Sequence, residues 1–145
     1  MIYIDTSALV ALYFPEARTA RVQAHLRRRR SALPFTWLHE IEFTNSLRLK
    51  LFRGEATNAA VTATLAAVRA DVEIGVFAKA PVIWPRVFEG TLRLSAAYSH
   101  RLGTRTLDLL HIASACDLGV KEFVTSDLRQ ADAAEKEGLK VMQIA

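Results

Sequence analysis

The chain has 145 residues, 51% of them apolar, and carries 19 Lys and Arg against 15 Asp and Glu for a net charge of +4. This suits a single folded domain over residues 1–145 and excludes a disordered or low-complexity chain, while the positive excess fits an anionic partner as well as ordinary solubilising charge. No apolar run approaches the roughly 20 residues that span a bilayer, the opening Met1–Asp5 lacks a secretion-signal pattern, and the lone Cys116 allows neither an internal disulfide nor a multi-cysteine zinc site, so a cytoplasmic protein away from membranes is expected.

Met1–Asp5 reads as a compact strand, after which Thr6 or Ser7 can cap a helix through Ala8–Tyr13 that stops before Pro15. Glu16–Arg30 reads as a second helix with Val22 and Leu26 inward, and Ala32–Phe35 as a strand weakened by Pro34. A long helix is expected from Trp37 to Arg53, ended by Gly54, then an Ala-rich one from Glu55 to Asp71, closed near Gly75. Pro81–Pro85 breaks the chain before a helix over Arg86–His100, and Thr106 can cap Leu107–Leu118, which Gly119 ends. Glu122–Thr125 is a strand, Asp127–Glu137 a helix ended by Gly138, and Lys140–Ile144 a last strand. Short apolar runs alternating with helices point to an α/β sandwich on a parallel sheet.

In such folds ligands bind beyond the carboxyl ends of the strands. Asp5 and Asp127 each follow a strand and precede a helix, where an acid can also serve simply as a helix cap. Asp108 lies in the first turn of an otherwise apolar helix, flanked by Leu107 and Leu109. Glu42 lies within the long helix, with Asn45 and Ser46 one turn on, a pattern that a solvated polar stripe also produces. As a set the four carry more weight. Carboxylates converging on one edge stay ionised together only with a cation among them, and oxygen ligands select Mg²⁺ or Mn²⁺. Such an ion can activate a water and balance charge building on a phosphodiester.

These residues resemble the PIN-domain family, most closely the VapC-type toxins. The matching pieces are Tyr3-Ile4-Asp5-Thr6-Ser7-Ala8-Leu9; Glu42 with Asn45, Leu47 and Arg48; Gly103 through Ala113; and Phe123-Val124-Thr125-Ser126-Asp127. The resemblance implies a three-layer sandwich around a twisted parallel sheet of about five strands, with an acidic pocket holding Mg²⁺ or Mn²⁺. It makes Asp5, Glu42, Asp108 and Asp127 the metal ligands and catalytic set, Asp5 and Asp108 foremost, with Asp127 on the side of a second metal. Thr6 and Thr125 would bond metal-bound waters, and Asn45 would orient Glu42. A metal-dependent endoribonuclease is therefore expected, the toxin of a toxin–antitoxin pair, leaving a 5′-phosphate. The family also implies a homodimer, and a cognate antitoxin whose C-terminal segment sets an Arg against the acids.

An RNA-processing nuclease without an antitoxin and a non-catalytic RNA-binding module are the rival readings. The homodimer is expected to use Phe43, Leu47, Leu51 and Phe52, more apolar surface than one helix side can easily bury. Glu40 and Glu42 point roughly 200° apart on a helix, and the resemblance selects Glu42. Arg27–Arg30 are either a solvated helix end or phosphate contacts. His111 reads as a packed or hydrogen-bonded histidine, Cys116 as core, and Trp37 and Trp84 as packing or interface residues.

Overall fold

The computed structural model describes residues 1–145. Five strands, β1 (Ile2–Ile4), β2 (Leu33–Phe35), β3 (Phe77–Lys79), β4 (Glu122–Thr125) and β5 (Lys140–Gln143), are interleaved with helices. These are α1 (Thr6–Tyr13), α2 (Thr19–Leu26), α3 (Trp37–Phe52), α4 (Asn58–Glu73), α5 (Trp84–Leu94), α6 (His100–Leu102), α7 (Thr106–Asp117) and α8 (Leu128–Lys136), with a π-helical turn over Ser95–Ser99 joining α5 to α6. Every strand pairing is parallel. No helix is long and apolar enough to cross a membrane.

Successive strand residues face opposite sides of a sheet, and here the two sides build two cores. Ile4 and Val124 join Leu9, Val22, Phe43 and Leu47 on the side of α1–α4. Tyr3 and Phe123 join Val87, Leu94, Leu109 and Ile112 on the side of α5, α7 and α8. The expected α/β three-layer arrangement is present. Its strands, however, do not form one sheet: β1-β4-β5 make three strands and β2-β3 a separate pair. Pro34 has no amide hydrogen to offer from β2, and the Ile4 carbonyl at the end of β1 accepts from the His39 side chain at 2.8 Å. Packing of Ile4, Leu33 and Phe35 in a shared core joins the pieces instead.

Several element boundaries differ from expectation. Asp5, not Thr6 or Ser7, caps α1, which starts at Thr6. The helix expected over Glu16–Arg30 is only Thr19–Leu26: the Thr19 hydroxyl accepts from the Glu16 N–H and donates to the Ala11 carbonyl, folding the lead-in as a turn. At its other end four successive arginines add like charge that disfavours another turn. β3 is absent from the sequence reading because only Phe77 of its three residues is buried, leaving no alternation to see. Pro85 does not break the chain but sits in the first turn of α5, where its missing N–H costs nothing. The helical run from Trp84 continues through the π-turn to Leu102, and Gly103, at φ 68°, ends it in the left-handed conformation. Cys116 is exposed rather than core, since Leu109, Ile112, Ala113 and Ala115 take the buried side of α7.

Candidate active site

Parallel pairing of Ile4 with Val124 brings the ends of β1 and β4 to one sheet edge, and with them Asp5 and Asp127. Asp5 is buried at the N-cap of α1, its Oδ1 accepting from the Ala8 N–H at 2.9 Å and from the Ser7 hydroxyl at 2.7 Å. Asp127 caps α8, its Oδ1 accepting from the Arg129 and Gln130 N–H groups at 2.8 and 3.2 Å. Thr125 and Gln130 tie this edge to α7. The Thr125 hydroxyl lies 2.6 Å from Gln130 Oε1 and 3.0 Å from Asp5 Oδ2, while the Gln130 amide donates to the Asp108 carbonyl at 3.1 Å. The single Thr125 hydroxyl proton is shared between these two acceptors. Asp5 is thus buried with Ala8, Ser7 and Thr125 as its donors. Burial lifts its pKa above the ordinary carboxylate value, outweighing the opposing pull of His111, Ala8, Ser7 and Thr125.

Glu42 reaches the same place from α3. Its Oε2 accepts from the Thr6 hydroxyl at 2.9 Å and lies 2.7 Å from His111 Nε2. A carboxylate needs a donor there, so the proton belongs on Nε2, and Nδ1 accepts from the Tyr3 hydroxyl at 2.8 Å. Burial alone would raise the Glu42 pKa, but the hydrogen bonds from His111 and Thr6 and the charge of Arg105 leave it below the ordinary value. A second histidine holds the helix start. His39 is fully buried in the first turn of α3, its Nδ1 accepting from the Thr36 N–H at 3.1 Å and its Nε2–H donating to the Ile4 carbonyl. Backbone groups on both sides fix that ring as neutral. Burial first, then the neighbouring His111, push its pKa down to about 3.

Asp108 is buried in the first turn of α7, where its Oδ2 accepts from the Arg105 N–H at 2.9 Å. The Arg105 guanidinium lies between two acids, with Nε 3.2 Å from Asp108 Oδ2 and Nη2 3.4 Å from Asp127 Oδ2. Arg129 also pairs with Asp127, at 3.1 Å. Burial would raise the Asp127 pKa, yet Arg129 and the α8 N–H groups hold it below the ordinary value. As the side chains stand, no three His, Cys, Asp or Glu groups are gathered closely enough to hold one ion. The donor set is nonetheless all oxygen and acidic, as a hard divalent ion requires, and a cation, the Arg105 guanidinium, already sits between Asp108 and Asp127.

The PIN-domain family model matches residues 2–136. The chain belongs to the PIN-domain family. This PIN domain superposes on FitAcB from Neisseria gonorrhoeae with a TM-score of 0.68 at 18% identity, covering 99% of this chain and 97% of that one. It is similar to VapC20 of Mycobacterium tuberculosis, described as a sarcin-ricin loop cleaving toxin, with a TM-score of 0.69 at 16% identity over 92% and 95% of the two chains. VapBC-1 from nontypeable Haemophilus influenzae matches with a TM-score of 0.60 at 15% identity, covering 99% and 98%. At these identities the likeness is one of fold. No curated protein sequence matches the chain.

Within this PIN domain, hydrogen bonds join Asp5, Thr125, Glu42 and Thr6 to their neighbours at the edge, and Arg105 links Asp108 to Asp127. Asn45 is exposed and makes no bond to Glu42; Thr6 and His111 orient that carboxylate instead. Glu40 lies on another face, bordering a groove with Phe35, Phe43 and Lys79. Arg27–Arg30 precede β2 and so lie at the strand starts, the edge opposite the acids. Sequence reasoning passed over His39, Gln130 and Arg105. Only His39 and Arg105 left a signal, each standing three residues from its partner across a helix start, Thr36 and Asp108.

Proposed function

We propose that this PIN domain is an Mg²⁺- or Mn²⁺-dependent endoribonuclease and the toxin of a toxin–antitoxin pair. The observation that supports the reading is the Arg105 guanidinium lying between Asp108 and Asp127 in a cation's place, beside the paired ends of β1 and β4 from which Asp5 and Asp127 emerge. Asp5 and Asp108 would be the principal ligands. Glu42, held by His111 and Thr6, would hold the ion directly or through water, and Asp127 would complete the set beside Arg129. When bound, the ion supplies an activated water and balances charge on the cleaved phosphodiester. Thr6 and Thr125 would orient that water through their hydroxyls.

The similarity in fold to a sarcin-ricin loop cleaving toxin and to VapBC-1 supports RNA as substrate and an antitoxin as partner. A homodimer also belongs to this reading, but with changed residues. Phe43 and Leu47 are buried inside the monomer, so the dimer would draw on exposed apolar side chains such as Phe52, Trp37 and Ile41 on α3 and Phe88 and Leu92 on α5. Purified protein should cut RNA with Mg²⁺ or Mn²⁺, leave 5′-phosphate ends and stop in EDTA. Undiminished cleavage in EDTA, or 2′,3′-cyclic phosphate products, would overturn the mechanism.

A further inference from the structure

Arg105 holds the acids unusually loosely for a buried-edge ion pair. Its contacts to Asp108 and Asp127 run from 3.2 to 3.4 Å, whereas strong charge-assisted bonds close to roughly 2.7–2.9 Å. Its side chain is 67% exposed, against 10% and 19% for the two carboxylates it serves. Nor does the helix start need the guanidinium, since the Asp108 carboxylate accepts from the Arg105 backbone N–H at 2.9 Å whatever the side chain does. Asp127 keeps Arg129 and two backbone donors if Arg105 leaves. Asp108 keeps only the Arg105 backbone N–H on Oδ2, and its Oδ1, whose sole partner is the guanidinium at 3.4 Å, is left for another cation to meet. A tethered, exposed cation on weak contacts fits exchange better than permanent structure.

We propose that Arg105 is an exchangeable counter-cation: it occupies the gap between Asp108 and Asp127 until a divalent ion replaces it, then turns outward to grip the RNA phosphate. This rests on the metal-dependent reading above. Its fork of N–H donors suits a phosphate as well as a carboxylate, and its position at the start of α7 keeps it beside the acids after release.

The test uses Mn²⁺ alone, titrated into RNA-free protein and followed by loss of the free-ion electron paramagnetic resonance signal. Wild type, Arg105→Gln and Arg105→Lys are compared, with thermal melts to confirm folding. Removing a resident charge should tighten Mn²⁺ binding by Arg105→Gln roughly five- to tenfold, with Arg105→Lys closer to wild type. With Mn²⁺ saturating and single-stranded RNA as substrate, Arg105→Gln turnover should fall by roughly 10- to 100-fold. Unchanged or weaker Mn²⁺ binding by Arg105→Gln overturns the exchange. Tighter binding with full turnover overturns the phosphate role. If neither wild type nor Arg105→Gln takes up Mn²⁺, the metal reading falls as well.

Discussion

Mild acid should destabilise the fold through His39. The ring is held neutral between the Thr36 N–H and the Ile4 carbonyl, and its pKa is about 3 when folded against 6.5 for a free histidine. With the folded pKa depressed, the unfolded chain takes up the proton first. Stability is thus complete above about pH 6.5 and drains away as pH falls toward the folded value. At about pH 5.5 the unfolded side chain is some nine-tenths protonated and the folded one is not, a loss of between about 1 and 2 kcal/mol. For a domain of this length that is a fall of roughly 3–6 °C in melting temperature. The assay is a set of urea or thermal melts from pH 7.5 to 5.5 on wild type and His39→Gln. The variant starts less stable, because the Thr36 N–H loses its acceptor, but its pH slope should be flatter by that amount. Equal slopes would refute the assignment of a buried neutral ring.

Glu42→Gln should abolish most cleavage and weaken Mn²⁺ binding with little change in melting temperature, whereas Glu40→Gln, on the other helix face, should keep most activity; the reverse result would show that the wrong acid of α3 serves the pocket. Asp5→Asn should be inactive yet melt at the same temperature or a few degrees higher at neutral pH, because the neutral amide avoids the cost of ionising a buried group. A clear drop in its melting temperature would contradict the raised Asp5 pKa. Tyr3→Phe removes the donor to His111 Nδ1, and should lower turnover several-fold while costing about 1 kcal/mol of stability. Unchanged turnover would show that the Tyr3 hydroxyl does not help place Glu42.

What was legible in the sequence followed from punctuation and chemistry type. Thr125-Ser126-Asp127 after an apolar run marks a strand end, and Gly54, Gly119 and Gly138 end helices where expected. Asp5 and Asp127 could be named because carboxylates at strand ends are visible in one dimension, whereas Glu42 and Asp108, both inside helices, took their place in the set from the resemblance to the PIN family. Their partners could not be named. Gln130 acts through a side chain 22 residues from the Asp108 carbonyl it bonds, and His111 meets Glu42 across 69 positions, contacts that exist only once α3, α7 and α8 have docked. Asn45 failed as the orienting group for a related reason: one helical turn places it near Glu42, but the fold supplies donors from α1 and α7 and leaves Asn45 outward. The split sheet was equally hidden, since it turns on a side chain claiming the Ile4 carbonyl.

The two cores on either side of the central sheet have a mechanical consequence. Glu42 rides on α3, anchored through Phe43 and Leu47 to one core, while Asp108 rides on α7, anchored through Leu109 and Ile112 to the other. The acids therefore belong to different packed bodies and meet at the seam where Asp5 emerges. A ligand drawing Glu42 and Asp108 together would act as a staple across that seam, raising resistance to heat and slowing amide exchange at both helix starts at once. Conversely, a mutation deep in either core, far from any carboxylate, can spoil the pocket merely by letting one body slip against the other.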